Sequence, residues 1–222
     1  MKRFISFIIG VIIFSGLPLI GWGLKDIGGF AQNPYRLAFI FIMAILTVFV
    51  VIFIPNEGRS QEKWKKIIKR QNLSLFFLQT GPIFIVLISP YFDHHRIAVF
   101  NENDNTRIIG LILSLIGFLF MNWSTIILGK QFSTDIEIQE NHKLVTNGPY
   151  KYIRHPRYLG IIVFYNGISM IFISWISLIL VFLLTLVLLW RISDEEKLMH
   201  QEFKTEWEDY KKRTFFLIPY IY

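Results

Sequence analysis

Apolar and polar positions in this chain segregate into long blocks. Five apolar blocks, residues 4–24, 35–54, 73–92, 107–128 and 158–190, alternate with polar segments. About 20 apolar residues cross a bilayer's hydrocarbon core as a helix. The first four blocks therefore predict one span each. The first is too long for the apolar region of a secretory leader, and no small-x-small cleavage site follows it. Gly81-Pro82 inside the third block predicts a kink, because proline removes a backbone donor. The last block, 158–190, is 33 residues long. As one helix it would reach about 50 Å, well beyond a core of about 30 Å. It predicts two spans in a hairpin that turns near Ile173-Ser174-Trp175. Between the blocks lie a short glycine-rich turn (25–34), a basic loop (55–72), a loop with Asp93, Glu102 and Asp104 (93–106) and a polar insert (129–157). A polar helix (191–213) and an aromatic tail (215–222) close the chain.

Composition strengthens this picture. The chain is 53% hydrophobic, with 22 Phe among 222 residues. That is too apolar for a soluble domain of this size. The expected fold is all-α: a polytopic integral membrane protein of about six transmembrane helices. It ends in a helical hairpin and a C-terminal cytosolic amphipathic helix. Residues 1–128 would form four N-terminal spans and 129–222 a core carrying the chemistry, within one structural unit. The absence of cysteine excludes disulfides, thiolate metal sites and a cysteine nucleophile. The net charge of +7 fits basic cytoplasmic loops better than nucleic-acid binding. Segments 55–72, 129–157 and 191–213 carry excess Lys and Arg, whereas 25–34 and 93–106 are poorer. Six spans put all the basic segments on one side, with both termini cytosolic. Five would put the C-terminal segment on the wrong side.

The insert holds the candidate chemistry. His142 and His155 flank it, and alone they would read as interfacial histidines. A third ligand at metal spacing is missing, so no metal site is expected. Asn147-Gly148-Pro149-Tyr150 reads as a turn. Arg154-His155-Pro156 ends where the next span begins, and proline suits a first helical turn. The exposed N–H groups there suit a carboxylate or phosphate; a basic membrane anchor is the plainer reading. Arg191 and Glu195, four apart, share a helix face, with Glu196 about 100° round. A surface ion pair is the plain reading, but a carboxylate emerging from a span is costly without a partner. Met199, Phe203, Trp207 and Tyr210 form an apolar stripe that lies along the membrane surface or against the insert. His94-His95 and His200 carry little functional weight.

Taken together, these pieces resemble the isoprenylcysteine carboxyl methyltransferase family. The resemblance rests on His142-x-Leu144-Val145, Gly148-Pro149-Tyr150 and Arg154-His155-Pro156-x-Tyr158-x-Gly160. It continues, past an apolar hairpin, in Arg191, Glu195-Glu196, Tyr210-Lys211-Lys212-Arg213 and the late Pro219. It covers about residues 129–222, and phospholipid N-methyltransferases share the C-terminal pattern. The resemblance implies S-adenosylmethionine as cofactor. Its holders would be His142, Lys143, Leu144, Val145, Tyr150, His155, Pro156, Arg157, Tyr158 and Glu195. Arg191 would face the substrate. A residue between the fourth span and His142 also touches the cofactor in that family; at the shorter spacing here it falls on Glu137.

The chemistry agrees. A carboxylate such as Glu195 suits the cofactor's ammonium, His155 with nearby N–H groups suits its carboxylate, and tyrosine faces suit its sulfonium. In-line methyl transfer is catalysed by positioning and exclusion of water. Arg191 would orient a carboxylate acceptor; an amine acceptor would need a base, for which Glu196 is nearest. The implied partners are membrane lipid and a lipophilic or prenylated acceptor, with no metal and no nucleic acid. The implied location is the plasma membrane, with the site facing the cytosol. Two other functions compete. A sterol-reductase-like enzyme would want more basic residues for a nicotinamide cofactor's 2′-phosphate than Lys143, Lys151, Arg154 and Arg157. A membrane scaffold would leave the joint motif spacing unexplained.

Overall fold

The computed structural model describes residues 2–53, 64–67, 71–100, 102–139 and 142–219. Most of the basic loop 55–72 and the end of the aromatic tail lie outside the described residues. The first apolar block forms α1 (Lys2–Val11), a π-helical turn at Ile12–Gly16, and α2 (Leu17–Trp22). The expected glycine-rich turn is instead helical. A 3-10 turn at Leu24–Asp26 leads into α3 (Ile27–Ala31), and this segment bends 88° from the one before it. Asp26 caps α3 by accepting from the Gly29 amide at 3.0 Å, which gives this stretch its own helix start.

Three long helices follow: α4 (Pro34–Phe53), α5 (Asn72–His95) and α6 (Asp104–Leu128). α5 continues through Pro82 and Pro90 as a single element. A short antiparallel pair joins β1 (Trp64–Ile67) to β2 (Glu137–Gln139). The last apolar block divides as expected, into α7 (Pro156–Ile171) and α8 (Trp175–Phe203). Ile173 sits at φ 41° in the turn, and Ser174 caps α8 by accepting from the Ser177 amide at 3.1 Å. The turn is pinned to the α5–α6 loop by Trp175 N–H to the Ala98 carbonyl at 2.9 Å and Phe100 N–H to the Ile173 carbonyl at 3.0 Å.

Among the described residues, four helices are long and apolar enough to cross a membrane (α4, α5, α6 and α8), or five with the bent N-terminal pair. The remaining expected span is α7, of 16 residues. The C-terminal region corrects one expectation. The polar helix does not start at Arg191: α8 runs unbroken from Trp175 to Phe203, and the break comes at Lys204 (φ 45°), before α9 (Thr205–Arg213). Nothing between Trp190 and Phe203 interrupts a helix, because a change from apolar to charged residues is not a helix stop signal.

α6 and α7 approach backbone to backbone. Gly110 and Gly117 of α6 face Gly167 and Gly160 of α7. A Cβ on Gly117 would lie 2.4 Å from the Phe164 nitrogen, and one on Gly160 would lie 2.7 Å from the Met121 nitrogen. Small residues at such a seam let helices pack by close van der Waals contact in a lipid environment. This seam fixes the start of α7, and with it Arg157 and Tyr158, against the end of α6.

The other end of the bundle holds a buried ionic cluster. Asp93, expected in a loop, is fully buried at the end of α5. Arg36 of α4 reaches it at 2.8 Å. Arg107 of α6 holds both its oxygens, at 3.0 and 3.1 Å. Arg107 also pairs with Glu102 at 3.0 Å and donates to the Ile171 carbonyl at the end of α7. The cluster therefore ties the ends of four helices together.

Candidate active site

The insert is shaped by three local features. Gly148 stands at φ 56°, a left-handed conformation that favours glycine. A side chain there would also meet Ile127 of α6 at 2.9 Å. A 3-10 turn, Gly148–Lys151, then presents Tyr150 inward, where it is buried. Pro156 starts α7 directly after His155.

The C-terminal segment closes around this insert. Tyr210 donates to the Tyr150 carbonyl at 2.8 Å. The Arg154 amide donates to the Phe215 carbonyl at 2.9 Å, and the Phe215 amide donates to the Tyr152 carbonyl at 2.8 Å. Trp207 and Tyr210 are buried, so this face of α9 packs against the insert. The stripe read as one helix is divided by the break at Lys204.

Two adjoining cavities make one cleft between the insert and α8. One is lined by His142, Lys143, Leu144 and Val145 together with Tyr150, His155, Glu195, Trp207 and Tyr210. The other shares His142, Tyr150, His155 and Glu195 and adds Glu137, Arg157, Tyr158 and Arg191. The structure thus gathers all but one of the residues expected at the cofactor, and Glu137 with them. The exception is Pro156, which lines neither cavity and acts through the backbone of α7.

Polar geometry divides these residues. Tyr158 donates to Glu195 Oε2 at 2.9 Å and accepts from Arg191 Nε at 3.1 Å. Arg191, buried, also donates through Nη2 to the Thr134 carbonyl. Its Nη1 is buried without a partner, as is Nδ1 of His142. Arg157 donates to Thr125 Oγ1 at 3.3 Å and lies 4.6 Å over the Phe132 ring. Among the described residues, no ion pair within 4 Å involves Glu195, Arg191 or Arg157. Charges held near one another without ion-pair partners are a ready site for a ligand carrying both signs. Burial lowers the pKa of His142, against the pull of Glu195 and Glu202, so its ring is neutral at pH 7. Burial also raises the Tyr150 hydroxyl well above its ordinary value.

Glu196 has a different setting. It accepts from Arg154 Nε at 2.7 Å and lies 3.1 Å from His155 Nε2. It lines a separate groove between α8 and α9. His155 is therefore oriented by Glu196, and its ring stacks near Tyr158 at 5.8 Å.

A strap of residues 131–139, for which no motif was recognised, completes the cleft. Gln131, Phe132, Ser133, Asp135 and Ile136 line it. Gln71 fastens the strap by accepting from the Ile136 amide at 2.5 Å. Met199, one turn beyond Glu195, also lines it; that i, i+4 spacing was visible in the sequence. Beside the strap, an apolar cavity runs between α5, α7 and α8. Leu75, Leu78, Pro82, Ile161 and Leu188 line it, and Tyr158, Arg157 and Arg191 form its polar end.

Residues 108–201 match the model of the isoprenylcysteine carboxyl methyltransferase (ICMT) family. This stretch runs from α6 to near the end of α8 and contains the insert, Arg191 and Glu195. A probable protein-S-isoprenylcysteine O-methyltransferase of Oryza sativa subsp. indica is 31% identical over 120 residues, covering 51% of this chain and 61% of that protein. A protein-S-isoprenylcysteine O-methyltransferase of Dictyostelium discoideum is 34% identical over 94 residues, covering 39% of this chain and 37% of that one. The chain thus matches about three fifths of the rice protein's length, and less of the Dictyostelium one. A solved structure of the eukaryotic intramembrane Ras methyltransferase ICMT shares the fold. Its TM-score is 0.58 at 21% identity, over 92% of this chain and 73% of that one. Over residues 108–201, from α6 to near the end of α8, the chain is thus similar to the isoprenylcysteine carboxyl methyltransferase family.

Proposed function

We propose that this protein transfers a methyl group from S-adenosylmethionine to the carboxylate of an isoprenylcysteine-like acceptor. One observation carries the reading. A cleft in which Glu195, Arg157 and Arg191 form no ion pair among the described residues, and in which Nη1 of Arg191 and Nδ1 of His142 are buried without hydrogen-bond partners, adjoins an apolar cavity, and Arg157, Tyr158 and Arg191 stand at the junction. A zwitterionic cofactor on one side and an anionic, lipophilic acceptor on the other match that pattern of charge.

The residues present fit the cofactor. Glu195 would hold the ammonium, with Tyr158 fixing the carboxylate's orientation. His142, neutral and with Nδ1 free, would take one polar group. Tyr150, Leu144, Val145 and Trp207 would supply apolar walls. When bound, S-adenosylmethionine supplies an electrophilic methyl group on a sulfonium.

Arg191 keeps one Nη free at the junction of the two cavities, suited to a carboxylate oxygen. Its other contacts, to Tyr158 and to the Thr134 carbonyl, prevent it from swinging away. A carboxylate acceptor is already ionised at pH 7 and needs no base. An amine acceptor would need one, and Glu196 is bound to Arg154 and His155 and lines neither the cleft nor the apolar cavity. This placement favours the carboxylate and makes Glu196 a positioning residue. Holding acceptor and donor in line, away from water, is the main source of rate.

The cleft faces the cytosol at the plasma membrane in this reading, with the ionic cluster at the outer face. Cysteines at Asn33 and Asn103, near that cluster, should label from outside intact cells.

The direct test is transfer of isotopically labelled methyl from S-adenosylmethionine, with purified protein in nanodiscs. Farnesylcysteine should gain an alkali-labile methyl ester, and phosphatidylethanolamine should gain none. Methylation of the amine alone, or thermal stabilisation by NADPH and not by S-adenosylhomocysteine, would overturn the assignment.

A further inference from the structure

A third cavity lies outside the proposed reaction path, between α1, α4 and α6. Its long walls are apolar, with Ile9, Phe14, Val50, Val51, Phe118 and Met121. One end is polar, with Asn122, Thr125, Thr134 and Arg157. Arg157 therefore borders three spaces: the cleft, the α5–α8 cavity and this one. No carboxylate among the described residues forms an ion pair with it, and its guanidinium rests on Thr125 and the Phe132 ring. A half-buried cation at a membrane face without a counter-ion is costly, and such residues mark ligand sites.

The depth of the polar end is also informative. Asn122 and Thr125 sit within the last two turns of α6 and Arg157 in the first turn of α7, and the wall residues Val50 and Val51 reach the same level near the end of α4. All lie at the same end of the bundle, where helices leave the apolar layer and lipid headgroups sit. The cavity walls continue outward into exposed apolar residues, with Ile9 50%, Phe49 45% and Ile52 55% exposed. Such surface faces acyl chains in a bilayer.

We propose that this cavity is a lipid site distinct from the acceptor cavity, which takes an anionic amphiphile. The acyl chain lies along Phe14, Val50, Val51 and Phe118, and the phosphate or carboxylate headgroup meets Arg157, with Asn122 and Thr125 beside it. A zwitterionic phosphocholine brings a second cation toward Arg157 and binds less well. The headgroup supplies the ion-pair partner that Arg157 lacks among the described residues and so holds this side chain at the edge of the cleft.

Native mass spectrometry reads this directly, independently of methyl transfer, so it stands or falls apart from the proposed reaction. The full chain is released from phosphatidylcholine bilayers doped with phosphatidylglycerol or with oleate. The wild-type protein should retain the anionic species several-fold over phosphatidylcholine, and whichever anion is retained identifies the source. Val51→Trp fills the cavity at a distance from Glu195 and should lose that retention. Arg157→Gln should lose the preference for anions. A second measurement needs no variant: phosphatidylglycerol carrying a diazirine on its acyl chain should label peptides containing Phe14 or Val51. Equal retention of phosphatidylcholine and the anions by the wild-type protein overturns the proposal. So does undiminished retention by a folded Val51→Trp protein, or labelling confined to other helices.

Discussion

The two ends of the helix bundle both bury charge but treat it in opposite ways. At one end Asp93 is fully buried, and two guanidiniums, Arg36 and Arg107, approach it from different helices. Arg107 leaves only Nε without a partner, and its charge is matched by Asp93 and Glu102. At the other end Glu195, Arg191 and Arg157 line one cleft, and none of them forms an ion pair with another of the described residues. Both arrangements are costly to desolvate. The first recovers that cost within the fold and is a structural staple. The second has hydrogen bonds but no ion pair among the described residues, and the proposed ligands would supply the missing counter-charges.

The largest effect should follow from breaking the staple. Asp93→Asn leaves two buried guanidiniums without their shared counter-charge. Removing one partner of a buried pair costs about 3–5 kcal/mol. Thermal unfolding in detergent should show the variant melting far below wild type, whereas Arg191→Gln should melt close to it. If the two variants melt alike, the distinction between saturated and open charges does not hold.

Next in size is the loss of the open carboxylate. Glu195→Gln removes the proposed counter-charge for a ligand ammonium. Such losses run to about 2–5 kcal/mol, and the amide, which still bonds Tyr158, keeps this one near the low end. Titration with S-adenosylhomocysteine should show affinity reduced by roughly thirtyfold, which is about 2 kcal/mol at tenfold per 1.4 kcal/mol, with little change in melting. Arg191→Gln should retain most of that affinity and lose methyl transfer. Equal affinity losses in the two variants would mean that Arg191 and Glu195 act as one structural unit through Tyr158.

The open end was far more legible in the sequence than the staple. Its residues are close in sequence: 142–158 on one side, and Arg191 and Glu195 four apart on the other. Turn chemistry at Gly148-Pro149 and the proline starting α7 gave local reasons for the geometry. The staple depends on pairs 57 and 14 residues apart, and a charged residue at the edge of an apolar block reads as the start of a loop. Asp93 therefore reads from the sequence as the first residue of a loop. The α8 boundary failed for a related reason, since apolar periodicity marks the membrane edge and not the end of a helix. The α6–α7 seam was legible but unread: Gly110 and Gly117, and Gly160 and Gly167, repeat at seven residues in both helices. The strap 131–139 carries no such pattern, and only its packing shows its place.

The seam connects the two ends, and Gly160→Ala tests whether it holds the open site in place. Its new methyl group meets the backbone of Met121, which cannot rotate away. Overpacking of this kind costs about 1–3 kcal/mol. The structure predicts a moderate fall in melting temperature together with weaker S-adenosylhomocysteine binding, because α7 carries Tyr158 to Glu195. Lower stability with unchanged affinity would show that the cleft does not depend on this seam.

The smallest effect concerns His142, a single titrating group at the open end. Burial disfavours its imidazolium, while Glu195 and Glu202 partly oppose this, and the net direction is downward. The folded protein then binds its proton less readily than the unfolded chain, whose histidine titrates near 6.5. Between the lowered value and about 6.5 the unfolded state holds more protons, so stability rises with pH in that window. The contribution is complete above about 6.5 and is lost as pH falls toward the folded value. Glu195→Gln removes an acid that favours the charged ring, so it should depress the pKa further and steepen the loss. His142→Gln cannot titrate and should flatten it. Melting temperatures of the three proteins, followed from neutral pH into the acid range, give the comparison. Parallel curves for wild type and His142→Gln would show that the ring is not held neutral by the fold, and the partnerless Nδ1 would lose its place in the cofactor site.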